Sequence, residues 1–170
     1  RIGPNALALP GGTIVMTDEM VQLVDSNTDV LTAVLAHEMG HLQHRHGMRM
    51  LVQVMLLGTV SSVLLGDFST VLAGGAALVG QSHYSRQAER EADAAAVRIL
   101  RAGDISPAAM VTLFDKLAEK RRASKAPGQP DEKNGKDGND EKAHWLGLTF
   151  ASHPADAERV RFFQEAAKGR

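Results

Sequence analysis

His37-Glu38-Met39-Gly40-His41 is the stretch on which both fold and chemistry turn. Two histidines four residues apart on a helix lie on one face, about one turn apart. That spacing lets both imidazoles reach a single tetrahedral zinc at about 2.0–2.1 Å. Glu38, beside them, is placed to take a proton from a zinc-activated water. Upstream, Val30, Leu31, Val34 and Leu35 supply an apolar stripe, and Asn27 or Thr28 can cap the helix. Gly40 costs a helix about 1 kcal/mol relative to alanine, and close approach of another backbone element is one reason for it. The competing reading of the same residues is a solvated polar helix face.

A catalytic zinc takes three protein ligands and keeps one position open. A downstream Gly-then-His pattern fails here, because His44 stands where the glycine belongs and Gly47 where the histidine belongs. A carboxylate from a later helix is the alternative, and Glu89 and Glu91 compete for the role. Glu89 shares a helical stripe with Asp93, Ala96 and Leu100, an inward-facing set. Glu91 lies about 200° away around the helix. An inward carboxylate is costly unless it is paired or metal-bound, which favours Glu89. Asp93, one turn on, can hold a ligand histidine by its free N–H; a salt bridge to Arg86 or Arg90 is the plainer reading.

Working outward, Ala6 to Leu9 and Thr13 to Thr17 are strand-like runs around Pro10-Gly11-Gly12, which predicts a β-hairpin. Asp18 to Asp25 reads as a short helix. Met50 to Leu65 and Phe68 to Val79 are apolar, but neither reaches the roughly 20 apolar residues that span a bilayer. Buried core helices are the first reading of both, with membrane contact in a longer protein as the second. A helix begins near Ser85 and stops at Ala102-Gly103. Another follows Ser106-Pro107 to about Arg122. Residues 123–143 are polar and charged, with almost nothing apolar beyond Lys125, and are expected to form a disordered loop. Trp145 to Phe150 returns to apolar sequence. Ser152-His153-Pro154 then opens a last helix to about Lys168. The fold class is α+β and mostly α-helical, one domain over residues 1–170, with a small N-terminal hairpin.

Composition removes several alternatives. The 170 residues contain no cysteine, so disulfides, thiol nucleophiles and Cys-ligated zinc are excluded. A formal net charge of −1 offers no field for nucleic acid, and none is expected as a partner. The chain begins at Arg1 with no signal-peptide pattern, and is read as a piece of a longer protein.

His37-Glu38-Met39-Gly40-His41 together with Tyr84-Ser85-Arg86-Gln87-Ala88-Glu89-Arg90-Glu91-Ala92-Asp93 resembles the HtpX and CAAX-prenyl-endopeptidase family of zinc metallopeptidases, which also holds BepA-like and OMA-type proteases. Asn5 to Gly12 resembles the hairpin before that family's active-site helix. Ser152-His153-Pro154 with Glu158-Arg159-Val160 resembles its C-terminal segment. The likeness covers nearly the whole chain except the polar loop. It implies a zincin-type (gluzincin) catalytic domain holding one Zn2+, with His37, His41 and Glu89 as ligands, Glu38 as general base and Asp93 supporting a ligand histidine. It further implies that His153 lies near the metal, either stabilising the oxyanion or occupying the open position in a resting form. Local packing beside Pro154 competes with that reading. Arg159 either reaches the site or pairs with Glu158 or Asp156; pairing is the favoured reading.

The function so implied is a zinc metalloendopeptidase in envelope or membrane protein quality control, with a bacterial cell-envelope location. A polypeptide substrate could add as a β-strand to the Thr13–Thr17 edge. The alternatives are a latent, chaperone-like zinc module and a membrane assembly component anchored by Met50 to Val79. His44 reads as a polar surface residue, Tyr84 as a packing residue that could also donate to an intermediate, and His46 and His83 have no assigned role.

Overall fold

Alternation of small buried and exposed residues starts the chain as a two-stranded hairpin. The computed structural model describes residues 3–65, 84–124, 153 and 156–169. Strand β1 (Ala6–Ala8) pairs antiparallel with β2 (Ile14–Met16) in the register Ala6 to Met16, Leu7 to Val15 and Ala8 to Ile14. Ala6 and Ala8 face inward while Leu7 is exposed, as a period of two requires. The turn closes through Leu9 N–H donating to the Thr13 carbonyl at 2.8 Å, with Gly12 at φ +93°, a conformation that favours glycine.

Helix α1 (Asp18–Leu23) is capped by Thr17, whose hydroxyl accepts from Met20 N–H. Helix α2 (Thr28–Gln43) is capped by Asn27, whose side chain accepts from Val30 N–H at 3.2 Å. Its buried stripe is Val30, Ala33, Val34, His37 and His41, the spacing of one helical face. Leu35, expected on that face, is 39% exposed. Its position is about 100° round from Val34, and Ala33 takes its place in the stripe.

The chain leaves α2 at His44, takes a left-handed turn at Arg45 (φ +54°), and enters α3 (His46–Leu65). The helix therefore starts four residues before the expected Met50. Among the described residues, no helix is long and apolar enough to cross a membrane. Helix α4 (Arg86–Ala102) is capped by Ser85, and its buried face carries Ala88, Glu89, Ala92, Asp93, Ala96 and Leu100. It ends as the glycine stop predicts, but the left-handed residue is Asp104 (φ +57°) rather than Gly103 (φ −98°). Helix α5 (Ala108–Ser124) follows Ser106-Pro107. Helix α6 (Ala157–Lys168) starts later than Ser152-His153-Pro154 implies, capped by Asp156.

The core joins these pieces. Val34 from α2, Leu100 from α4, Met110 and Leu113 from α5 and Phe163 from α6 are fully buried in one cluster with Met20 and Val24. Burial of a side chain such as Phe163 contributes about 1.5–3 kcal/mol. The hairpin rests on α2 through β1, α4 packs along α2, and α6 packs on α4 and α5. The Phe68–Val79 run, the 125–142 polar segment, Trp145 to Phe150, His83, Ser152 and Pro154 lie outside the described residues.

Candidate metal centre

Contact between α2 and α4 builds the site. Gly40 is the point of closest approach: a Cβ built there would stand 2.7 Å from the Ala92 carbonyl oxygen and 2.8 Å from Ala92 Cα. The glycine in the motif is thus explained by a neighbouring backbone, as expected. The approach brings Glu89 and Asp93, on the inner face of α4, up to His37 and His41.

His37 Nε2 lies 3.1 Å from His41 Nε2. Glu89 reaches both, its Oε2 3.5 Å from His37 Nε2 and its Oε1 3.4 Å from His41 Nε2. His153 joins them, its Nδ1 3.2 Å from His37 Nε2 and 2.9 Å from Glu89 Oε1. All four residues are buried, and their donor atoms fall within 4.8 Å of one another. Four ligands around a tetrahedral ion with bonds of about 2.0–2.1 Å stand about 3.3 Å apart. The donor set of His37, His41, Glu89 and His153 therefore fits a divalent metal ion. Glu91 is not part of this group, as its helical position implies.

Glu38 is fully buried, and among the described residues neither of its oxygens has a hydrogen-bond partner. His153 Nε2 approaches Oε1 at 3.4 Å. A buried carboxylate without hydrogen bonds is costly, and a polar reactant beside it would lower that cost. Tyr84 stacks on the His41 ring at 4.1 Å between centroids and lies 5.4 Å from His153. It is a wall of the site, and burial pushes its hydroxyl up to about 12.

Supporting contacts surround the group. Asp93 Oδ1 is 2.9 Å from His37 Nδ1, on the ring edge opposite the cluster. Asp93 is also gripped by Arg159, which donates from Nε to Oδ2 and from Nη2 to Oδ1, both at 2.7 Å. Arg159 Nη1 then reaches Glu89 Oε2 at 2.8 Å. This corrects the favoured reading of Arg159 as a partner of Glu158 or Asp156. Glu158 pairs instead with Arg90 at 2.8 Å, and the Asp156 side chain caps α6 by accepting from the Arg159 backbone N–H. Asp93 thus combines the two roles read from sequence, histidine support and salt bridge, but with Arg159 rather than Arg86 or Arg90. The signal that could have found Arg159 is its i, i+4 spacing to Phe163 on the buried face of α6.

Electrostatics follow from this packing. Burial opposes a charge on His37, but hydrogen bonds to Asp93 and Glu89 outweigh it and raise its pKa to about 9. Burial lowers His41 to about 3, only partly offset by Glu89. Burial would raise Glu89, yet contacts with His153, His37 and His41 hold it well below the usual carboxylate range. The same opposition, between burial that raises Asp93 and contacts with His37 and Arg159 that lower it, leaves Asp93 below its usual value.

A cleft of about 350 Å³ opens beside His41, lined by Ala8 to Gly12, Leu42, Arg45, Gly47 and Met48. Its wall is the end of β1 and the hairpin turn rather than β2. A second cleft of about 440 Å³ lies behind Asp93 and Arg159 and touches none of His37, His41 or Glu89.

A mostly helical domain with a small hairpin and a buried HExxH cluster joined by a glutamate from a later helix is the architecture of a metallopeptidase. A family model described as Peptidase family M48 matches residues 2–167, and the chain belongs to that family. It is 31% identical over 137 residues to the Beta-barrel assembly-enhancing protease of Escherichia coli, covering 72% of this chain and 28% of that protein. It is 28% identical over 169 residues to Metalloprotease LoiP of Escherichia coli, covering 95% of this chain and 58% of the relative. The Mitochondrial metalloendopeptidase OMA1 of Schizosaccharomyces pombe is also 28% identical, with 95% of this chain and 43% of the relative covered. The chain thus spans less than two thirds of the length of each of these relatives.

Proposed function

We propose that the chain is the catalytic domain of a zinc metalloendopeptidase, with His37, His41 and Glu89 as the ligands of one zinc and Glu38 as general base. The observation that carries this reading is the convergence of those three donors beside a buried Glu38 whose oxygens make no hydrogen bond among the described residues. When bound, the zinc supplies a Lewis acid and a water of lowered pKa. Glu38 takes the proton of the attacking water and returns it to the leaving amine. Asp93 fixes the His37 ring through Nδ1, and Arg159 fixes Asp93. An extended polypeptide enters along the cleft beside the hairpin, where a β-strand could add to the sheet. Similarity to the Beta-barrel assembly-enhancing protease of Escherichia coli supports a place in the quality control of bacterial envelope proteins.

The test is metal content and casein hydrolysis on the wild-type chain and on Glu38→Gln. One zinc per chain in both, with hydrolysis in the wild type alone, is the expected result. A wild-type chain that takes up no stoichiometric zinc when supplied with it would sink the reading.

One observation favours a latent form of the same site. His153 Nδ1 lies 3.2 Å from His37 Nε2 and 2.9 Å from Glu89 Oε1, so it would serve as a fourth ligand where a catalytic zinc needs a free position. In this second reading, His153→Ala raises hydrolysis and retains zinc. If His153 instead steadies the oxyanion, the same substitution lowers hydrolysis, by about 10²-fold on the scale of such donors.

A further inference from the structure

His46, left without a role by the sequence and outside the central cluster, holds an unusual position. It is 5% exposed. Its Nδ1 lies 3.0 Å from His41 Nδ1 and its Nε2 lies 3.0 Å from Glu91 Oε2. His44 Nδ1 reaches the same Glu91 oxygen at 3.7 Å. The other oxygen, Oε1, accepts from Gln87 Nε2 at 3.0 Å, which fixes the carboxylate plane. The two rings stack at 12° with centroids 5.4 Å apart. Residues two apart on a helix do not share a face. Here they do because Arg45, between them, adopts a left-handed φ of +54°, a conformation uncommon and strained outside glycine.

We propose that His44, His46 and Glu91 form a second site for a divalent transition ion such as zinc, beside the metal centre on its solvent side. Two imidazoles and a carboxylate are the donor set that such ions prefer. The three donor atoms fall within 4.8 Å of one another. The His44 and Glu91 side chains are 32% and 31% exposed, so solvent can complete the coordination shell. Gln87 orients the carboxylate from behind, as supporting partners of metal ligands do.

The second site and the first share one hydrogen bond. An ion on His46 Nε2 leaves that ring's proton on Nδ1, pointing at His41 Nδ1. An ion on His41 Nε2 leaves a proton on His41 Nδ1, pointing back. With both ions bound, two N–H groups meet across 3.0 Å, and the hydrogen bond is replaced by repulsion. Excess zinc therefore weakens the first site by roughly tenfold, the scale of one lost buried hydrogen bond. This coupling rests on His41 being a ligand of the catalytic zinc; the second site itself does not.

The test is calorimetric titration of Zn2+ into the chelator-stripped chain, for the wild type, His44→Ala and Glu91→Gln. Glutamine at position 91 still accepts from His46 Nε2–H, and position 44 lies outside the catalytic group. The expected result is two binding events in the wild type and one in each variant. A single event in the wild type that His44→Ala and Glu91→Gln leave intact, or extra zinc that survives both substitutions as adventitious surface binding, would overturn the proposal. Loss of an event in His44→Ala in a chain that shows no tighter site would support it while removing the peptidase reading.

Discussion

Gly40 on α2 and Ala92 on α4 lie so close that no side chain fits between them: a Cβ at position 40 would meet the Ala92 carbonyl oxygen at 2.7 Å. Both neighbours are helix backbone, so nothing can rotate aside. Gly40→Ala should therefore push α4 away, and α4 carries Glu89 and Asp93. Despite alanine's better helix propensity, the expected outcome is destabilisation by about 1–3 kcal/mol, the usual cost of overpacking. Zinc affinity should fall with it. Thermal unfolding and zinc titration read the two effects, and an alanine variant as stable as wild type would show that the helices can separate freely.

Arg159 is the counter-charge for two buried carboxylates, Asp93 and Glu89. Arg159→Met should cost about 3–5 kcal/mol, because breaking a buried pair leaves charge without compensation. A bound divalent ion restores part of that compensation, so the loss should be larger in the metal-free protein than in the loaded one. Arg159→Lys should rescue little, since one ammonium cannot reproduce three directed contacts. Denaturant unfolding with and without zinc measures the difference; equal losses in both states would contradict the assignment.

His37 sets a pH dependence. Its pKa is raised from 6.5 to about 9 in the metal-free protein, so below that pH its Nε2 carries a proton that a metal must displace. Zinc uptake should release about one proton per chain near neutral pH, and apparent affinity should rise about tenfold per pH unit until it flattens near pH 9. For the metal-free fold the sign is the reverse. The stability from charged His37 is fully present below pH 6.5 and is lost as pH rises through about 9. Titrations in buffers of different ionisation heat count the proton directly, and a count of zero at pH 7 would mean that the ring is already neutral.

Asp93→Asn tests the support of His37. Asparagine keeps the size but offers a neutral oxygen to both His37 and Arg159. Zinc affinity should drop by about 10–100-fold, the range for the loss of such a partner. Direct competition with a chromogenic chelator gives the number, and unchanged affinity would reduce Asp93 to a fold-stabilising residue.

The parts of the site legible in the sequence are those set by one helix at a time. His37 and His41 share a face because four residues make about one turn, and the choice of Glu89 over Glu91 follows from the stripe on α4. The reason for Gly40 was also legible in kind, though not its partner. Arg159 was not, because its contacts with Asp93 and Glu89 span two helices far apart in sequence, and Glu158 and Asp156 offered nearer charges. Grouping of His44 with His46 depends on a single left-handed residue, Arg45, in a position that periodicity treats as ordinary helix. The hairpin was readable from its turn and α2, α4 and α5 from caps and stops, whereas α3 starts before its apolar run and α6 starts later than Ser152-His153-Pro154 implies because Asp156 supplies the cap.

The guanidinium that clamps Asp93 and Glu89 comes from α6, later in the chain than α2 and α4. A growing chain that holds α2 and α4 but not yet α6 has only His37 to offset the two carboxylates on α4. That shortfall of positive charge opposes closure of the half-made interior. Assembly of the centre is thereby timed to the arrival of α6.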